Sequence, residues 1–257
     1  MIFGTGGAQV ISLVPGLRVV QTRAGGVPNG LLNNLVAYWP GNEAGGANDM
    51  LDLHTNALHL TQADSPGADT GLSYATARVM AAPNDVFYRA SETALQVDST
   101  SAAWAAWIFP TAAQTERFIS KDNGSTAREY VVRMDANRKI TAFGWFGAGA
   151  GTFGIVTTTG TATLNQWNLA LCWFDSAAQT LNVSINNASP QSAATGSSRL
   201  VAATAQFTVS GISNTRDETF AGRLAQIAMW KGVVLSADQR TALYNAGAGL
   251  PYASFTA

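Results

Sequence analysis

Residues 220–247 read FAGRLAQIAMWKGVVLSADQRTALYNAG. The stretch predicts a strand, a tight turn and one short capped helix. Strand alternation sets Leu224, Gln226, Ala228 and Trp230 on one face and Ala225, Ile227 and Met229 on the other. Both sets are mostly apolar, so the strand is expected inside a sheet with cover on both sides. Lys231-Gly232 marks the turn. Ser236 is the expected N-cap, its hydroxyl accepting from an early helical N–H, and Gln239 three residues on completes a capping box. Leu243 and Tyr244 lie on the later turns, and Gly247 is the expected stop.

Upstream, many runs of five to eight residues rich in β-branched and aromatic side chains alternate with Gly, Asn and Asp turns. Strands are expected at 35–40, 104–110, 118–121, 129–134, 139–146, 165–175 and 180–186, with turns at Asp135-Ala136-Asn137 and Asn186-Asn187. In WAAWIFP (104–110), Trp104, Ala106 and Ile108 face one way and Ala105, Trp107 and Phe109 the other. This pattern is that of an all-β sandwich.

The C-terminal stretch resembles the signature of the laminin-G-like, concanavalin A-like jelly-roll family, through Phe220, Gly222, Leu224, Ile227, Met229, Trp230, Leu235, Ser236, Leu243, Tyr244 and Asn245. LVAYWP (35–40) resembles that family's first strand. Asp52, Asn56, His59 and Leu60 match its next motif. Further likenesses run in order through WAAWIFP, FISK (118–121), NQWNLALCWFD (165–175) and TLNVSIN (180–186). The resemblance covers about residues 35–252. It implies two antiparallel sheets, one concave, packed face to face with one short C-terminal helix. The expected organisation is an N-terminal arm over 1–34 and a jelly-roll domain over 35–257.

Composition narrows the function. Charged residues are 12% of the 257-residue chain, about half the roughly 25% usual for globular proteins. Net charge is −1, which leaves no electrostatic footprint for nucleic acid or an anionic membrane. Sparse charge reads either as drift in an Ala/Thr/Ser-rich chain or as surface covered by other subunits. Cys172 is the only cysteine, so no intramolecular disulfide forms, and Leu171 and Trp173 beside it suggest a buried, inert thiol. No apolar stretch is long enough to span a membrane. Residues 1–30 lack the pattern of a secretory signal. Val10, Ile11, Leu13, Val14, Leu17, Val19 and Val20 are too apolar for a free linker. Residues 1–34 therefore read as a loose tail, an arm docking on a partner subunit, or a segment packing back on its own domain.

The chemistry-bearing candidates are few. Glucanases on such jelly rolls use E-x-D-x-E, whose alternate residues converge on one strand face. The triplet is absent here, and the clusters Asp49/Asp52 and Asp217/Glu218 read as loops, so no catalytic residue is assigned. The resemblance implies a rim calcium site. Ala225 and Gln226 replace the acidic pair of its signature, which leaves Asp52, Asn56, Asn84 and Asp85 as candidate ligands or as ordinary turn formers. His54 and His59 lack the spacing of a transition-metal site. A glycan site needs aromatic rings to stack on sugars, and Trp107, Trp145, Phe146 and Phe153 are the candidates for a concave face, with residues 147–154 as a rim loop. The alternative for each ring is the sandwich core. Neither Gly-rich run has the spacing of a phosphate loop.

Two functions follow as expectations. The first is a non-enzymatic component of a bacteriophage virion, a homo-oligomer joined to other subunits by the N-terminal arm and presenting a lectin-like jelly roll, with host glycans as ligands. Assembly in the host cytoplasm would reconcile a lectin-like domain with the absence of an export signal. The second is a stand-alone extracellular carbohydrate-binding module. Fold analogy alone decides neither.

Overall fold

The computed structural model describes residues 29–46, 48–81, 83–147, 152–213 and 215–257. Most of the arm expected over 1–34 lies outside these residues, its apolar residues Val10 to Val20 included. The strands are β1 (Leu35–Trp39), β2 (Thr61–Ala63), β3 (Gly67–Thr70), β4 (Thr76–Met80), β5 (Val86–Arg89), β6 (Ala102–Pro110), β7 (Glu116–Asp122), β8 (Arg128–Met134), β9 (Lys139–Phe146), β10 (Thr152–Thr161), β11 (Asn168–Asp175), β12 (Thr180–Ile185), β13 (Gln191–Ala194), β14 (Phe207–Val209) and β15 (Gly222–Lys231). Helix α1 is Ala237–Tyr244. All strand pairings are antiparallel. The first sheet runs β13-β12-β11-β6-β15-β4-β3, with β1 also on β15; the second runs β10-β9-β8-β7-β14-β5-β2. The result is the expected all-β jelly-roll sandwich.

The inner faces of the sheets meet in one core that includes Trp39, Phe87, Trp104, Phe118, Phe146, Phe174 and Phe207, all at most 1% exposed. Trp39 stacks on Phe207 at 5.1 Å and donates its indole N–H to the Leu58 carbonyl at 2.7 Å. The buried ring thus keeps both its packing and its one hydrogen bond.

β15 departs from simple alternation. Gln226 sits at φ +48°, and the register against β6 shifts between Ala225 and Ala228. This bulge moves Leu224 to the inner face with Ile227 and Met229, while Ala225, Ala228 and Trp230 face outward. The predicted grouping of Leu224 with Ala228 and Trp230 is therefore corrected by the one extra residue. The bulge also divides one edge of β15 between two partners. Residues 222–224 pair with β4, and residues 227–230 pair with β1.

The outer face of the first sheet forms a second buried cluster, with Ala103, Ala105, Trp107, Leu171, Trp173 and Trp230 under Leu235, Leu243, Leu250 and Phe255. The capping box forms as expected: Gln239 N donates to Ser236 Oγ at 3.2 Å, and Ser236 N to Gln239 Oε1 at 2.9 Å. The helix ends earlier than predicted. Asn245, at φ +46°, is its left-handed cap, and Gly247 lies beyond. Residues 29–34 belong to this cover. Asn29 Nδ2 donates to the Ser254 carbonyl at 2.9 Å, and Trp230 Nε1 to the Leu31 carbonyl at 2.8 Å. Cys172 is buried in the core, and burial pushes its thiol pKa up, which leaves it inert.

One carboxyl pays for its place in the sandwich. Glu116 is fully buried at the start of β7, and neither of its oxygens makes a well-formed hydrogen bond. Burial pushes its pKa up to about 7, with the Gln114 side chain and the Ala221 backbone pulling the other way. The unfolded chain releases this proton near 4.5 and the folded chain near 7. Between those values the folded state holds more protons, so stability falls as pH rises. We expect Glu116→Gln to remove this slope and to gain about 2 kcal/mol at pH 8 after discounting for screening. Urea melts of both proteins at pH 5 and pH 8 check it; parallel pH profiles would contradict it.

Candidate functional site

The outer face of the second sheet is built by alternation on β7, β8, β9 and β10. On β9, Ile140, Ala142 and Phe146 point into the core, so Thr141, Phe143 and Trp145 point outward. Pairing extends each of these residues into a row. Arg117, Arg133, Thr141 and Thr157 lie side by side, then Ser120, Val131, Phe143 and Ile155, then Trp145 and Phe153. Phe143, Trp145 and Phe153 form a triangle of rings with centroids 5.5–5.6 Å apart. Val131, Phe143 and Trp145 are largely covered, with Val201 packed against them, but Phe153 is 51% and Ile155 45% exposed. The face thus offers an open ring on a buried aromatic base.

Arginines frame the rings. Arg128 lies over Trp145 at 4.1 Å, and Arg133 over Phe143 at 4.9 Å. Asp122 ties two of the arginines. It accepts from Arg117 Nη1 at 2.7 Å and from Arg128 Nε and Nη2 at 2.8 and 3.1 Å. Burial pushes the Asp122 carboxyl up, but Arg128, Arg117 and the Gly124 N–H more than offset this, so its pKa is held below the usual range. Arg117 Nε also donates to Glu218 Oε2 at 2.6 Å.

Beside the face lies a buried pair, Lys121 and Glu129, with Nζ and Oε2 3.4 Å apart and both side chains fully buried. Lys121 donates to the carbonyls of Ala203 and Ala205, and Glu129 accepts from Val97 N and Ala203 N. The pair fastens the segments around Val97 and Ala203 to the sheet. Val201, which packs against the aromatic cluster, is held at the same edge by its N–H to the Trp145 carbonyl at 2.8 Å.

The structure divides the aromatic residues predicted for one face. Trp145 and Phe153 meet on the outer face of the second sheet. Phe146, one residue along from Trp145, is buried in the core and packs at a tilt against Phe174. Trp107 lies on the first sheet, 1% exposed, beneath Tyr244 of α1 in parallel at 6.0 Å. Neither buried ring has a face open to a sugar. Of the expected rim loop, residues 152–154 belong to β10, and residues 148–151 lie outside the described ones. Arg117, Arg128, Arg133, Phe143 and Ile155 were missed as site residues. Alternation within 139–146 was the available signal for Phe143; the arginines and Ile155 come to the face through strand pairing.

The candidate calcium ligands stand in two separate turns. Asp52 is buried and spent on the backbone: Oδ1 accepts from Tyr38 N and His54 N, and Oδ2 from Leu58 N. Asn56 donates to the Val36 carbonyl at 2.7 Å. Asp85 accepts from Ala81 N at 2.9 Å, and Asn84 is exposed in the same turn. Among the described residues no group of three or more His, Cys, Asp or Glu side chains is placed to hold a metal ion. The cation that binds loop carbonyls here is Arg78. It is fully buried, lies 4.7 Å over the Phe87 ring, and donates to the carbonyls of Glu43, Ala44, Asn48 and Pro66. We expect a chelator to leave the melting temperature in place and Arg78→Met to cost about 3 kcal/mol, by stranding buried carbonyls. A chelator effect as large as that of the substitution, in thermal melts, would show that a metal shares the load.

Comparison with known proteins agrees with this architecture. A family model described as the concanavalin A-like lectin/glucanases superfamily matches residues 86–239, more than half of the chain. No curated protein matches. Among solved structures, the binding domain of Paraclostridial Mosquitocidal Protein 1 superposes with a TM-score of 0.65 at 12% identity, over 84% of this chain and 53% of that one. The receptor binding domain of botulinum neurotoxin D gives 0.62 at 10% identity, over 84% and 54%. This chain thus spans about half the length of these two. Domain 4 of AbnA, an extracellular arabinanase from Geobacillus stearothermophilus solved with arabinotriose, gives 0.61 at 16% identity, over 81% and 97%.

Proposed function

The chain belongs to the concanavalin A-like lectin/glucanases superfamily, and from that premise we propose that it is a non-enzymatic carbohydrate-binding module whose ligand lies on the outer face of the second sheet. One observation carries the reading: the half-exposed Phe153 ring, set against Phe143 and Trp145 and framed by arginines, on the face of a four-stranded platform. A sugar ring has an apolar face for such a ring and hydroxyls for the polar groups around it. The arabinotriose-bound arabinanase domain supports the choice, because this chain matches nearly the whole of it.

Hydrolysis fits the face poorly. A glycosidase needs one carboxyl protonated and a second one free to attack or to activate water. Asp122 is held ionised by two arginines, and Glu218 is engaged by Arg117. The virion setting, the homo-oligomer and the arm contact remain part of the proposal as the place where such a module would act. They rest on the N-terminal segment and the low charge, not on this face.

Titration with arabino-oligosaccharides, read by calorimetry, tests the proposal. We expect Phe153→Ala and Trp145→Ala each to weaken binding about tenfold or more while the fold persists, and Trp107→Ala to lower stability instead. Unaltered affinity in both face variants would place the site elsewhere.

A further inference from the structure

Arg117 and Arg133 face each other directly across β7 and β8. Like charges so placed repel. Arg117 is neutralised by Asp122 and Glu218 at 2.7 and 2.6 Å. Among the described carboxylates Arg133 reaches only the Glu218 oxygen that Arg117 already holds, at 3.8 Å, too far for a hydrogen bond. Its Nε is buried without a partner. Around the rings, among the described residues, Arg117, Arg128 and Arg133 stand against Asp122 and Glu218, so one positive charge is left over, in a chain of net charge −1. The surplus falls on Arg133, which costs the empty fold repulsion and an unsatisfied donor. Groups that burden a fold in this way are expected at functional sites.

The position of Arg133 gives that burden a use. Its guanidinium carbon lies over the Phe143 ring, 4.9 Å from the centroid, and that ring packs against Trp145 and Phe153. Its side chain is 24% exposed, so it is not closed off from solvent. A planar guanidinium fork suits bidentate pairing with a carboxylate. We propose that Arg133 is the specificity-determining residue of this face, and that the preferred ligand is an acidic glycan whose carboxylate-bearing sugar, of the uronic-acid kind, pairs with it while a neighbouring sugar stacks on Phe153. The inference rests on the carbohydrate-binding reading and adds the charge of the ligand to it.

The test compares oligogalacturonate with the same oligomer methyl-esterified, which keeps the sugar and removes the charge, using calorimetry on the full chain. Sodium sulfate serves as a competitor. We expect the acid form to bind at least tenfold more tightly than the ester, the preference to disappear in Arg133→Gln, and the residual ester binding to survive. We also expect Arg133→Gln to melt at the same temperature as the parent or higher, which a merely structural arginine would not allow. Equal affinity for acid and ester would overturn the inference and leave the carbohydrate-binding reading standing. So would a preference unchanged in Arg133→Gln, or acid binding abolished by equimolar sulfate, which marks a bare anion site. If neither oligomer nor any arabino-oligosaccharide binds, both readings fall.

Discussion

Both faces of the first sheet are apolar, and water has to be kept from both. The inner face meets the second sheet. The outer face, with Trp107, Trp173 and Trp230 on it, needs a cover of its own, and α1, the C-terminal tail and residues 29–34 provide it. Burial of large aromatic side chains contributes about 2–3 kcal/mol each, so this cover is part of the fold and not free to leave for a ligand. Among the described residues the second sheet has no such helix. Its outer aromatic cluster is small and only partly closed by Val201. The face where a ligand can be met follows from which sheet already has its lid.

Charge is scarce in this chain, and part of it is buried. Arg78 gathers four loop carbonyls, and Lys121 with Glu129 pins the segments near Val97 and Ala203. Burial lowers the Lys121 pKa and raises that of Glu129, and each partner's charge opposes the shift of the other. Such buried groups add little net stability against apolar replacements, yet losing one partner is costly. They hold irregular connections in one arrangement beside the aromatic face. Arg128 and Arg117 are restrained in the same manner by Asp122. Arg133 stands outside this pattern of paired charges.

Much of the architecture was legible in the sequence because it rests on local rules. The capping box at Ser236 and Gln239 is a four-residue device, and the alternation in WAAWIFP set Trp104 and Trp107 on opposite faces. The bulge at Gln226 was not legible, because the extra residue is needed only when β1 and β4 share one edge of β15. The candidate site was half legible. Trp145 and Phe153 were recognised by residue type, but Phe146 and Trp107 were grouped with them although parity and the lid over the first sheet bury both. Arg117 and Arg133 lie 16 positions apart and meet only through strand pairing, so spacing gave no sign of them. Asp52 shows the same limit: its composition suits a metal, and its contacts are backbone N–H groups.

On the reading proposed above, the outer face of β7–β10 receives a sugar. Crystals of the full chain soaked separately with arabinotriose and trigalacturonate would test it most directly. The expected result is a sugar ring seated on Phe153 beside Trp145, with the uronate carboxylate within hydrogen-bond distance of Arg133. Ordered sugar at the loops around Arg78 or on any other surface, with the rings of this face bare, would contradict it.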